Sequence, residues 1–272
     1  MDKLNSAIIM ENSNWDQTSF DSLFNLNVPH ILEKIFFILD YKSFTTCMTV
    51  SKTWNILFST TRYQKQLKKK EIEKRRDEEK LFKAASRGKV EVVRRLIYDH
   101  MVDVNFIMKK KEHRTPMVQA SYKGHKSVVK ILLEAGADIE KGDERKNAPL
   151  HWAALFGHYD IVKLLLDAGA KADCTDSTGR NPLYHTCNSD IAKRLIEYGA
   201  DPNKADNDGY TNLHVAVWTC NPLMVNTLIE GGADPVKITK HKETPLEMAI
   251  RQDRKEVIKL LMNKISSHTP SS

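Results

Sequence analysis

Cysteine is scarce. Four thiols occur in 272 residues, Cys47, Cys174, Cys187 and Cys220, with no CxxC pair and no zinc-type spacing. That pattern excludes a disulfide framework and suits free thiols in a reducing compartment. Long apolar runs are missing as well. No stretch approaches the ~20 residues needed to span a bilayer. The opening MDKLNSAIIMEN also has neither a long apolar core nor a small-residue cleavage site. The chain therefore reads as soluble, cytoplasmic and without a membrane partner.

The signatures of catalysis are equally thin. No phosphate loop or paired carboxylate stands out, and no oxyanion donor accompanies Cys187, His185 or Cys220, so nothing points to a nucleophile, a cofactor or a metal. The formal charge is +7, and part of it sits in residues 65–80, where eight basic residues face five acidic ones. Such a mixed run reads as a solvated helical face and not as a nucleic-acid footprint, although KKKEIEKRR could serve as a nuclear address.

What the sequence does have is a period. Gly136-Ala137, Gly169-Ala170, Gly199-Ala200 and Gly232-Ala233 recur at spacings of 33, 30 and 33 residues. Self-similarity at that interval marks a supersecondary unit that must stack on its neighbours to bury its apolar face. In the clearest unit, residues 146–176, Pro149 suits the first position of a short helix bearing Leu150, Ala153 and Ala154, and Gly157 ends it. A second helix carries Ile161, Val162, Leu164, Leu165 and Leu166, and Gly169 supplies a left-handed cap.

The run APLHWAALFGHYDIVKLLLDAGA resembles the ankyrin repeat, with TPM at 115–117, PLY at 182–184, TNLH at 211–214 and TPLE at 244–247 in the same phase. The resemblance implies an all-α solenoid of about six helix–turn–helix units over residues 81–264, with loops projecting to one side. It also assigns His151, His214, His125 and His158 to structural slots. The first unit lacks the glycine cap, carries an extra residue near 99–102 and reads as the amino-terminal cap. The last, with Arg251, Asp253, Arg254, Lys255 and Glu256, reads as the polar end that a solenoid requires. The fourth is three residues short between Leu183 and Gly199, which requires a tighter turn or a shortened helix.

Ahead of the array, in residues 26–58, Ile31, Leu32, Ile35, Phe36 and Leu39 form one apolar helix face, followed by Phe44, Cys47, Met48, Val50, Trp54 and Leu57. So short a segment cannot bury this surface alone. It resembles the F-box in Val28-Pro29, Ile31-Leu32, Ile35-Phe36, Leu39-Asp40 and Val50-Ser51-Lys52-Thr53-Trp54, departing at Val28 and His30. The resemblance places an F-box at 21–64 and a basic helical linker at 65–80. Residues 1–20 and the tail at 265–272 read as disordered. It implies docking on the Skp adaptor, and through it on a cullin, by Pro29, Ile31, Leu32, Ile35, Leu39, Val50 and Trp54. Poxviral ankyrin proteins combine the same parts in the opposite order, so the order here points to a cellular receptor.

Ankyrin stacks line their concave side with the first helices. In that register Arg87, Tyr122, Lys123, Leu155, Phe156, Trp218 and Arg251 point outward, and the loop tips add Arg145 and Tyr210. These residues form the expected target-binding set, an aromatic centre with basic ends. The function implied is substrate recognition for a Skp-cullin-F-box ubiquitin ligase, with no catalysis by this chain. The alternative is an ankyrin scaffold or signalling adaptor whose leading helices only cap the stack.

Overall fold

Twelve helices run through residues 61–109 and 111–268, the part of the chain that the computed structural model describes. Residues 1–60, with Cys47 and all but the last four positions of the F-box segment, and residues 269–272 lie outside it. The array itself falls in the compact unit 76–272.

Helix α1, Thr61–Ser86, opens the described chain. Its early turns are mostly charged, with Ile72 exposed among them, a composition that stays helical through pairs three and four residues apart. Glu71–Arg75 at 2.9 Å and Asp77–Lys80 at 2.6 Å are two of them. Toward its end Leu81, Phe82, Ala84 and Ala85 are buried, so the same helix serves as the first helix of the array. The sequence division at residue 80 falls inside this continuous helix.

The rest pairs off. Unit 1 is completed by α2, Val90–Tyr98; unit 2 is α3, Pro116–Lys123, with α4, Lys126–Glu134; unit 3 is α5, Pro149–Leu155, with α6, Tyr159–Asp167. Unit 4 is α7, Pro182–His185, with α8, Ser189–Glu197; unit 5 is α9, Asn212–Trp218, with α10, Pro222–Glu230; unit 6 is α11, Pro245–Arg251, with α12, Lys255–His268. First helices pack on first helices and second on second, giving two layers with the core between them. The deficit in unit 4 is taken by α7, which has four residues where its counterparts have seven or eight. The α12 helix continues beyond residue 264 to His268, since nothing in its sequence breaks a helix before Pro270.

Gly169 and its counterparts close the second helices in the left-handed region, at φ +91 for Gly169, with open space where a Cβ would sit. Conformation, not crowding, selects glycine there. Each is followed by an alanine whose N–H donates five residues back, as from Ala170 to Leu165 O at 2.9 Å. In unit 1 the corresponding bond spans one residue more, Val102 N to Leu96 O, and Met101 takes the positive φ. The inserted residue seen in the sequence is accommodated in that loop.

Crowding governs a different pair of glycines. A Cβ on Gly88 or Gly124 would lie 2.7 Å from the ring of His125 or His158 in the next unit. Each of those rings lies in hydrogen-bond distance of a backbone oxygen of the preceding turn, His125 Nε2 to Ser86 O at 3.1 Å and His158 Nε2 to Tyr122 O at 3.3 Å. Gly157 has no such neighbour, because Asn188 stands where unit 4 would carry the histidine and caps its own helix instead.

The loops are tied by a second register. One position per unit accepts the amide of the next: Asn105 from Asp138, Glu140 from Lys171, Asp173 from Asp201, and Asn203 from Asp234, at 2.7–3.2 Å. The asparagines also donate back to Gly136 O and Gly232 O. Val236 occupies this position in the last loop and has no such group.

Candidate functional site

The first helices end in a row of side chains that the stack leaves uncovered. Arg87, Lys123, Leu155, Phe156, Trp218 and Arg251 are all exposed, Trp218 the most among the aromatics at 63%. Tyr122 is half-buried. Its ring meets Phe156 edge-on at 4.8 Å and Trp152 edge-on at 5.4 Å, while Trp152 and Phe156 stack at 6.1 Å. The large side chains of units 2 and 3 thus form one surface cluster, with Phe156 still 48% exposed, and do not fold into the core.

Two members of this cluster were absent from the sequence-level set. Trp152 lies one helical turn before Phe156 on α5, and that i, i+4 spacing is the signal that places them on one face. Its indole N–H donates to Asp143 Oδ2 at 3.0 Å, which fixes the ring. Arg114, in the loop before α3, lies over both the Tyr122 and Trp152 rings, 4.7 and 4.3 Å from their centroids. A cation between two ring faces gains about 0.5–2 kcal/mol. The guanidinium also meets Glu112 and Gln119. No sequence pattern marks Arg114 for this contact, which depends on the loop folding back over the next unit.

The loop tips are built on buried carboxylates. Asp143, Asp176 and Asp206 accept backbone amides two and four residues ahead, as Asp206 does from Asp208 and Tyr210 at 3.0 Å each. Burial works against the charge of Asp206. Tyr184 Oη, the Tyr210 amide and Arg180 nevertheless donate to it and hold its carboxyl below the usual range. The Tyr184 hydroxyl is pushed up to about 12 by burial and by that same bond. Among the expected tip residues, Arg145 is exposed and its carbonyl accepts from Ser177 N at 2.8 Å. Tyr210 is half-buried against the core, with His214 at 5.9 Å. Arg251 makes a two-pronged pair with Glu243 at 2.8 and 3.1 Å.

The histidines occupy positions of architecture. His151 accepts Ala148 N at Nδ1 and lies 3.1 Å from Arg180 O at Nε2, and His214 repeats the pattern with Thr211 N and Glu243 O. Burial, reinforced by nearby His185, lowers His151 to about 4. Burial likewise lowers His185 against the pull of Asp176 at 3.2 Å. Cys174 lies 3.8 Å from His151, but burial and Glu140 raise its thiol to about 12, far from a nucleophile's range. Among the described residues no three His, Cys, Asp or Glu side chains gather as metal ligands, and no helix is long and apolar enough to cross a membrane. The adaptor-docking residues Pro29, Ile31, Leu32, Ile35, Leu39, Val50 and Trp54 lie outside the described residues.

Comparison with known proteins adds the frame for this surface. The ankyrin-repeat model matches in three overlapping copies, at residues 59–143, 81–176 and 150–239, and the F-box domain model matches residues 26–64. The chain belongs to the ankyrin-repeat family and carries an F-box domain ahead of the array. It is 33% identical over 130 residues to the putative ankyrin repeat protein FPV223 of fowlpox virus, covering 46% of this chain and 89% of that one. It is 43% identical over 65 residues to alpha-latrocrustotoxin-Lt1a of Latrodectus tredecimguttatus, covering 24% of this chain and 4% of the toxin. With palmitoyltransferase AKR1 of Kluyveromyces lactis it shares 29% identity over 141 residues, covering 52% of this chain and 15% of that protein.

The chain thus spans only a small part of the last two relatives. Among solved structures it is similar to a chain of the complex of the Bdellovibrio bacteriovorus predatory endopeptidase Bd0816 with the immunity protein Bd3460. That match has a TM-score of 0.62 and 25% identity, covering 68% of this chain and 97% of that one. The two matched families are protein-interaction modules, and no enzymatic family is among them.

Proposed function

We propose that this protein is the substrate-recognition subunit of a Skp-cullin-F-box ubiquitin ligase. The F-box binds the Skp adaptor through the apolar face of Pro29, Ile31, Leu32, Ile35 and Leu39, with Val50 and Trp54 in support. The array holds a target protein against the row from Arg87 to Arg251. The chain contributes proximity, and ubiquitin transfer belongs to other subunits. The observation that carries this reading is the joining of an F-box match at 26–64 to an array whose first-helix ends leave Leu155, Phe156 and Trp218 exposed. A plain scaffold needs the second feature but not the first.

Co-purification of the full chain with the Skp adaptor tests the proposal. The wild type should retain the adaptor at micromolar concentration, and Ile35→Asp or Leu39→Asp should release it without changing the melting of the array. If the wild type retains no adaptor, the scaffold reading takes its place.

A further inference from the structure

The amino-terminal end of the exposed row differs in kind from its centre. Between α1, the loop before α3 and the end of α3 lies an open groove of about 820 Å³. Its lining carries five cations, Lys83, Arg87, Lys111, Arg114 and Lys123. Two carboxylates, Glu79 and Glu112, oppose them, leaving a net +3. The carboxylates are already engaged: Glu79 lies 3.9 Å from Lys83, and Glu112 pairs with Arg114. Among the described residues Arg87, Lys111 and Lys123 have no carboxylate within ion-pair distance, and Lys123 Nζ instead lies 4.5 Å from the centre of the Tyr122 ring. The buried Nε of Arg114 has no acceptor. Tyr122 lines the groove, and the same ring packs edge-on against Phe156 and Trp152 of the next unit.

We infer that this groove binds an acidic segment of the target protein, a run of Asp and Glu side chains followed by an apolar residue that rests on Phe156. The inference rests on the target-face reading above and names the class of target. Charge complementarity selects an anionic partner. The distribution of the cations selects carboxylates over a phosphoryl group. A phosphate site gathers several donors on one point, with arginine forks preferred. Here the unpaired cations stand on three separate elements. Two of the three are lysines on flexible stems, and Arg114 is held between two rings. Spread charge of this kind matches a spread run of single negative charges.

Fluorescence anisotropy on the full chain tests this, with a labelled peptide bearing an Asp/Glu run followed by leucine. That peptide should bind, its affinity should fall with added salt, and its Asn/Gln analogue should bind roughly tenfold or more weaker. Arg87→Glu with Lys111→Glu should cause a loss of similar size. The charge-neutral pair R87Q/K111Q serves as a milder second variant at the same exposed positions. Equal binding of the Asn/Gln analogue, or wild-type affinity in both double variants, would overturn the inference. So would tighter binding of a neutral peptide carrying one phosphoserine, or of a single-stranded oligonucleotide. Adaptor retention measured on the same preparation separates the two claims: its loss with peptide binding intact removes the ligase reading alone, and the reverse removes only this one.

Discussion

Lowering the pH from 7 to 5 should weaken the array through His151, and the size of the effect follows from its surroundings. The ring is buried, with Nδ1 accepting from Ala148 N and Nε2 facing Arg180 O, an arrangement that requires the neutral form. Its folded value is lowered from 6.5 to about 4. Above 6.5 the folded and unfolded chains are both neutral at this position, so the stability is fully present. Between 6.5 and 4 only the unfolded chain takes up the proton, so stability is lost as the pH falls through that window. The loss at pH 5 is about 2 kcal/mol, rising to about 3 kcal/mol by pH 4. His185 and His214, both lowered by burial, act in the same direction. Urea unfolding at pH 7 and pH 5, for wild type and His151→Gln, isolates the contribution. The variant is less stable at pH 7, yet its decline from pH 7 to pH 5 should be smaller by about 2 kcal/mol. Identical declines in the two proteins would refute the reasoning, since the histidine would then titrate alike in both states.

Two further outcomes follow, one from the inter-unit ties and one from a helix start. Asn203→Ala removes an acceptor for Asp234 N and a donor to Gly232 O, and should cost about 1–2 kcal/mol, read as a fall of a few degrees in Tm. An unchanged Tm would mean that water replaces both bonds. Unit 3 begins with Ala148 where units 2, 5 and 6 have Thr115, Thr211 and Thr244. Thr211, with a histidine at the same third position as His151, bonds that ring through its hydroxyl, Oγ1 to His214 Nδ1 at 2.8 Å. Ala148→Thr should therefore raise stability by about 0.5–1 kcal/mol through the matching contact to His151, and a lower Tm would show that the hydroxyl has no room beside His151.

The periodic part of this molecule was readable because its units agree with one another. The Gly-Ala closures, the Pro-Leu helix starts and the histidine slots each recur in register, so one unit explains the next. What the sequence concealed depends on irregularity or on distance. Helix α1 joins a polar run to a buried end, and no breaker between residues 65 and 86 marks where one becomes the other. Arg114 reaches Tyr122 and Trp152 only because its loop folds over the following helix, a contact with no local periodicity. Trp152 was within reach, since a turn of helix links it to Phe156. Unit 4 announced its missing residues but not their location, because either a turn or a helix can absorb a deletion, and here α7 does.

The place where Gly157 meets no ring has a mechanical meaning. Units 1 to 2 and 2 to 3 are latched at their turns by a histidine seated over a glycine, and units 4 to 5 by Asn221 donating to Cys187 O at 3.0 Å. Between units 3 and 4 that latch is missing, while the loop side stays tied through Arg180 O beside His151 and Ser177 N to Arg145 O. A spring clipped along one edge and open on the other bends at the open side. The junction of units 5 and 6 shares that feature, since Arg254 at the same position bonds Gln252 of its own turn. Splaying under load is therefore expected at these two junctions, the first beside the exposed Phe156 and the second beside the exposed Trp218.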